Sequence, residues 1–172
     1  PVRAREPGGA RDHLVRPPPA RVGRRELAAL MGRRAPRVVA VKVAVATLAS
    51  RRVPPPPETV ASFLDAPKPH DRFWRRDRAL LELLYATGCR ASEMSNLLAR
   101  DVQLAEGYCL CQGKGNKQRL TPIGRRAAEA VEQYLEHERG LLVELAGSPP
   151  PWLLLSRSGR QLRRETIWEL VK

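Results

Sequence analysis

Apolar positions in the second two-thirds of the chain recur at helical spacing, then alternate, then return to helical spacing. From about Asp71 to Ala86, Phe73, Trp74, Ala79, Leu80, Leu83 and Leu84 form an apolar side. Arg75, Arg76, Arg78 and Glu82 lie on or beside the polar side, and the pattern predicts a strong helix. Thr87-Gly88 stops it, because glycine readily takes the left-handed cap conformation. A second helix is predicted from about Arg90 to Leu98, with Met94, Leu97 and Leu98 facing a core. Three short strands follow, at Asp101–Leu104, Tyr108–Gln112 and Gln118–Pro122. The second and third are joined by Gly113, Lys114, Gly115 and Asn116, residue types suited to a tight hairpin. A long helix is predicted from about Arg125 to Leu145, then a buried strand at Trp152–Ser156 and a final helix over Arg164–Lys172. The fold class is α+β, mainly helical, with helices packed on a small three-stranded antiparallel sheet.

The first third reads differently. Pro1 to Arg37 lacks periodicity beyond a short helical stretch at Arg24–Met31, and Val38–Ala49 is apolar without deciding between helix and strand. Pro54-Pro55-Pro56-Pro57 forms a stiff boundary, and Glu58–Leu64 then predicts a short amphipathic helix. Two units are therefore expected: a basic, Pro/Arg-rich, largely irregular head over 1–53 and a folded unit over 54–172.

Charge sharpens that division. The chain of 172 residues carries a formal +13. Residues 1–52 hold 13 Lys+Arg against three acids, a net +10, which leaves +3 for the rest. Such a charge ordinarily indicates a nucleic-acid partner, but one concentrated in an irregular head serves as well for a solvated tail. Cys89, Cys109 and Cys111 form no C-x-x-C pair, and His13, His70 and His137 are dispersed, so no zinc site is expected. Cys109 and Cys111 are expected to share one face of a strand as small apolar fillers. No secretory leader is visible, which suits a reducing cytoplasm. Val38–Ala49 is too short to span a bilayer and is interrupted by Lys42, so no membrane partner is expected.

Two residues stand out chemically. Arg90 follows a glycine turn at the mouth of a helix, where a guanidinium and the helix dipole together suit a phosphate oxyanion. Lys114, at a hairpin tip between glycines, is placed to contact a nucleic acid or to protonate a leaving oxygen. Either alone is commonplace: a solvent-facing arginine paired with Glu93, or an exposed turn lysine. A Walker A loop fails at both ends, since Tyr108 stands where its first glycine belongs and Gly115 where Ser or Thr belongs.

Together the two segments are specific. The run Arg76-Asp77-Arg78-Ala79-Leu80-Leu81-Glu82-Leu83-Leu84-Tyr85-Ala86-Thr87-Gly88-Cys89-Arg90-Ala91-Ser92-Glu93-Met94, followed by Gly113-Lys114-Gly115-Asn116-Lys117-Gln118-Arg119, resembles the tyrosine recombinases of the Xer and phage-integrase branch. The resemblance spans roughly Pro57 to Lys172. It implies the first part of that family's catalytic domain and DNA strand exchange, in which a tyrosine forms a 3′-phosphotyrosyl link without metal or nucleotide cofactor. It further implies that Arg90 stabilises phosphoryl charge and that Lys114 is the general acid toward the 5′-oxygen. Glu93 would support them, and Asn116, Lys117 and Arg119 would contact DNA. The implied partners are double-stranded DNA and other protomers in a tetrameric synapse, and the implied location is the cytoplasm, at the nucleoid.

The sequence also departs from that pattern. The family places an H-x-x-R box and its nucleophilic tyrosine after the lysine, and neither occurs between Lys114 and Lys172. His13-Leu14-Val15-Arg16 lies upstream and is read as coincidence, and Tyr85, Tyr108 and Tyr134 are read as packing residues. The expectation is thus a recombinase fragment that does not cleave DNA alone, with a rearranged or frame-shifted head. The alternative is a non-catalytic DNA-binding protein built from the half-domain. An RNA-binding protein is disfavoured by an aromatic content of 5% and the absence of an RNP-like run.

Overall fold

A computed structural model describes residues 55–113, 115 and 117–172. The 1–53 head, with its stretches at Arg24–Met31 and Val38–Ala49, lies outside the described residues, as do Lys114 and Asn116. Six α-helices are described: α1 Pro57–Leu64, α2 Trp74–Thr87, α3 Ala91–Asn96, α4 Arg125–Tyr134, α5 Gly140–Ala146 and α6 Arg164–Val171. The strands are β1 Val102–Gln103, β2 Tyr108–Gln112 and β3 Gln118–Pro122, in the order β1-β2-β3 with both pairings antiparallel.

Each boundary has a local cause. Pro57 opens α1 at the position where a missing amide proton costs nothing. The αL residue Gly88, at φ +60°, ends α2 by donating its N–H to the Leu84 carbonyl at 3.0 Å. The register Cys111↔Arg119 and Gln112↔Gln118 closes the β2–β3 hairpin, sealed by Gly113 N–H donating to the Lys117 carbonyl at 2.8 Å. Cys109 and Cys111 do share the buried face of β2, while β3 is an exposed edge whose Pro122 ends the ladder.

The core gathers Ala79, Leu80 and Leu83 of α2, Met94 of α3, Cys109 and Cys111 of the sheet, and Ala127, Val131 and Tyr134 of α4. Leu153, Leu154 and Leu155 are wholly buried beside them. The expected strand at Trp152–Ser156 is not a strand, since it makes only isolated bridges, Leu98↔Trp152 and Leu155↔Gln161. Side chains satisfy much of its backbone instead. Arg139 donates to the carbonyls of Pro150, Trp152 and Leu153 at 2.8–3.1 Å, Arg76 to that of Leu155 at 3.2 Å, and the Leu155 amide donates to the Tyr134 hydroxyl at 3.1 Å. Buried backbone needs such partners, and here they replace a sheet neighbour.

Two further expectations are corrected. Arg76 and Glu82 are buried rather than on the polar side, because Arg76 is fixed by Asp77 and Leu155, and Glu82 receives Arg78. Tyr85 does not pack: it is 65% exposed on the outer face of α2. The predicted helix Arg125–Leu145 is one helical run through Ala146, but its middle, Leu135–Arg139, is a π-helical turn. That turn aims Glu138 at the N-terminus of α2, where Glu138 Oε2 accepts the Arg75 amide at 3.3 Å. Phe73, the N-cap residue of α2, is in the αL region and offers no side-chain cap, so Glu138 supplies one from a distance. Among the described residues, no helix is long and apolar enough to cross a membrane.

Candidate functional site

Arg90 occupies the N-cap of α3 in extended conformation, immediately after the αL turn at Gly88. Its side chain is 78% exposed, and among the described residues only one edge is tied down, by Nη1 donating to Glu93 Oε1 at 3.3 Å. Glu93, at the third position of α3, also accepts the Arg90 amide through Oε2 at 2.9 Å. This is the carboxylate half of a capping box; arginine has no acceptor to return the bond.

Glu93 is held from its other side by the hairpin. Arg119 of β3 donates Nη2 to Oε2 at 2.8 Å and Nη1 to Oε1 at 3.2 Å. With the Arg119 bonds first among the causes, the Glu93 carboxyl falls to a pKa of about 2 from an ordinary 4.5, against the opposing effect of burial. The same bonds raise the Arg119 guanidinium further. Glu93 is therefore a buried anion at any ordinary pH, shared between two arginines, and the group keeps a net positive charge.

Beside this group lies an open cleft of about 420 Å³ lined by Arg90, Ser92, Glu93, Asn96, Gln112 and Gly113. A Cβ at Gly113 would sit 3.5 Å from Glu93 Oε1, at ordinary van der Waals contact, so the end of the hairpin lies directly against the pair. The far end of α3 is anchored too. Ser95 Oγ donates to the Leu162 carbonyl at 2.7 Å, and Gln161 Nε2 to Asn96 Oδ1 at 2.8 Å.

Helix α3 stops at Asn96 rather than Leu98. Leu97 turns extended and its carbonyl accepts the Leu153 amide at 2.8 Å. With so short a helix, guanidinium charge rather than the helix dipole dominates the potential at the cleft.

Of the residues singled out in sequence, Arg90, Glu93 and Arg119 come together. Lys117 is exposed beyond the end of β2, and Lys114 and Asn116 are not among the described residues. Sequence reasoning treated Arg119 as a DNA contact and missed its grip on Glu93. The available signal was strand alternation, which puts Arg119 opposite Cys111 on the hairpin. Among the described residues no group of His, Cys, Asp or Glu is arranged to hold a metal ion.

Comparison with known proteins agrees with this architecture. Residues 56–172 match the Phage integrase family, and the chain belongs to that family. The described fold is that of part of a tyrosine-recombinase catalytic domain. Among curated relatives, the tyrosine recombinase XerD of Halalkalibacterium halodurans is 43% identical over 115 residues, covering 67% of this chain and 38% of that protein. The XerD of Pseudomonas aeruginosa is 42% identical over 113 residues, covering 66% and 37%. The chain thus spans well under half the length of these relatives. The crystal structure of XerA recombinase superposes with a TM-score of 0.56 at 24% identity, covering 67% of this chain and 39% of that one. The Tn1549 transposon integrase, solved with circular intermediate DNA, superposes at 0.51 and 19% identity, covering 70% and 43%.

Proposed function

We propose that residues 54–172 form part of the catalytic domain of a site-specific recombinase that cuts and rejoins double-stranded DNA through a phosphotyrosyl intermediate. The observation that carries the reading is the Arg90–Glu93–Arg119 unit, which holds one guanidinium half free over an open cleft. A phosphodiester offers two anionic oxygens, and a planar guanidinium anchored along one edge retains N–H groups for them. As the phosphorus gains a fifth oxygen in the transition state, charge grows on those oxygens, and the fixed Arg90 meets it without reorganisation. Lys114 would protonate the departing 5′-oxygen, and Asn116 and Lys117 would contact the DNA backbone. Arg119 is then chiefly a positioning residue. Its exposed edge adds positive potential, while its fork orients Glu93 and through it Arg90. No metal or nucleotide is needed, because the covalent intermediate conserves the phosphodiester energy.

The curated relatives bear the name tyrosine recombinase, and the Tn1549 integrase structures contain DNA, which supports duplex DNA as the partner and the cytoplasm, at the nucleoid, as the location. Assembly with further protomers around a synapse belongs to the same reading. A binding-only role is the second reading, favoured by the full burial of Tyr134, whose hydroxyl is taken up by the Leu155 amide.

Titrating a labelled duplex with the chain across a salt series tests the proposal. Arg90→Ala and Lys114→Ala should each weaken binding and lower the salt slope by about 1. Binding unchanged in both variants would assign the affinity to the basic head and overturn the reading.

A further inference from the structure

Cys89, Cys109 and Cys111 take no part in the chemistry above, yet their sulfurs meet under the site. Cys89 follows the αL turn before α3, and Cys109 and Cys111 face inward from β2. Cys89 Sγ lies 2.7 Å from Cys111 Sγ, and Cys111 Sγ lies 3.6 Å from Cys109 Sγ. A disulfide bond is about 2.05 Å long. The first pair therefore needs roughly 0.7 Å of approach, whereas the second pair needs more than twice that along a single strand. The three thiols are free.

We propose that Cys89 and Cys111 are a peroxide-oxidisable pair whose disulfide staples the turn carrying Arg90 to the strand leading into the Gly113–Lys117 hairpin. The bond would join the two sequence segments that hold Arg90 and Lys114. This inference does not depend on the DNA reading, since it concerns only thiols of the folded chain.

The chemistry balances with one hydroperoxide. Cys89, the most exposed of the three at 7%, attacks first. Its thiol releases a proton, its sulfur displaces hydroxide from hydrogen peroxide, and proton and hydroxide leave as water. Cys89 is then a sulfenic acid. Cys111 next attacks Cys89 Sγ, and its proton departs with the sulfenic hydroxyl as a second water. Two thiols and one peroxide yield one disulfide and two waters. The sulfurs lose two electrons and the peroxide oxygens gain them.

The surroundings set the pace. Burial, first among the causes, pushes the Cys89 thiol up to about 11, and only the thiolate attacks. Arg119 Nη2 donates to Cys89 Sγ at 3.3 Å and partly offsets that burial. Oxidation should be slow at neutral pH and quicken as pH rises. Cys109, wholly buried beside Cys111, is the bystander.

The test exposes the full reduced chain to hydrogen peroxide, counts free thiols in denaturant, and maps linkages by mass spectrometry after alkylation. The three thiols should fall to one, in a monomer, with Cys89 joined to Cys111 and dithiothreitol restoring all three. Cys109→Ala should still form the bond, and Cys111→Ala should form none within the chain. A link through Cys109, a purely intermolecular link, oxidation to sulfinic acid without a link, or no thiol loss would each overturn the proposal. Wild-type linkage mapping decides the matter even if a variant fails to fold. A rise in the thermal midpoint on oxidation provides the second readout, because the bond closes a loop that the unfolded chain must also keep.

Discussion

Arg119 grips both carboxylate oxygens of Glu93, at 2.8 and 3.2 Å, and so couples the β2–β3 hairpin to the helix whose first turn presents Arg90. The coupling is charge-assisted and bidentate, the geometry in which arginine differs most from lysine. Arg119→Lys should therefore lower duplex affinity while leaving helical content intact. Equal affinities for the two proteins in an anisotropy titration would remove Arg119 from its positioning role.

Replacing the other partner should reveal itself in stability. Glu93→Gln keeps the shape but loses charge assistance to two guanidinium groups and one amide, a cost of about 2 kcal/mol. Urea midpoints of the two proteins at neutral pH measure it.

Two buried carboxyls should give opposite pH responses. Glu93 falls to about 2 in the folded chain from an ordinary 4.5, so its contribution is complete above about 4.5 and is lost as pH falls through about 2. Glu138 rises to about 7, chiefly through burial, so the folded state holds a proton that the unfolded state has released. Stability should accordingly fall as pH climbs from about 4.5 through 7. Glu138→Gln keeps an acceptor for the Arg75 amide without the charge, and should stabilise the chain by about 2–3 kcal/mol at pH 8. Urea midpoints of both proteins between pH 5 and pH 8 test the sign, and parallel profiles would refute it.

Two glycines separate conformational cost from collision. Gly88 has φ +60° and open space around a hypothetical Cβ, so Gly88→Ala should cost about 1 kcal/mol, from backbone strain alone. At Gly159 the Cβ would meet the Leu142 carbonyl oxygen and, at 2.9 Å, Ala146 Cβ, on top of a φ of +74°. Gly159→Ala should abolish cooperative thermal unfolding or lower the midpoint far more than Gly88→Ala does.

Tyr134→Phe removes the hydroxyl that accepts the Leu155 amide in a fully buried setting. An amide left without a partner there costs about 1–3 kcal/mol, measurable as a lower urea midpoint.

Legibility in the sequence followed the range of the interactions involved. Helix α2, strands β2 and β3 and the Gly88 stop are written in local periodicity and turn chemistry, and their positions matched expectation closely. The run Leu153–Leu155 was misread as a strand because apolar content reports burial, whereas its backbone partners, Arg139, Arg76 and Tyr134, lie far away in sequence. Arg76 was misplaced for the same reason, since its Leu155 partner is distant; Glu82 was misplaced because charge suggests solvent, although its partner Arg78 is only four residues away. At the site, Arg90 and Glu93 were legible from their three-residue spacing. The bridge from Arg119 crosses 26 positions: strand alternation places Arg119 opposite Cys111, but nothing local names Glu93 as its partner.

The π-helical turn at Leu135–Arg139 sets a rule about chain length. A side chain moves about 100° around a helix with each residue. An i→i+5 turn takes up one residue more than an i→i+4 turn for nearly the same rotation. Deleting one residue from this stretch would therefore let an ordinary α-helix run through with Leu142 still turned toward the core. What would go is the bulge that brings Glu138 to the Arg75 amide at 3.3 Å. Removing a second residue would rotate everything beyond by about 100° and carry Leu142 off the core. Across divergent copies of this domain, single-residue length differences should therefore be found at Leu135–Arg139, and larger ones at Gly147–Pro151.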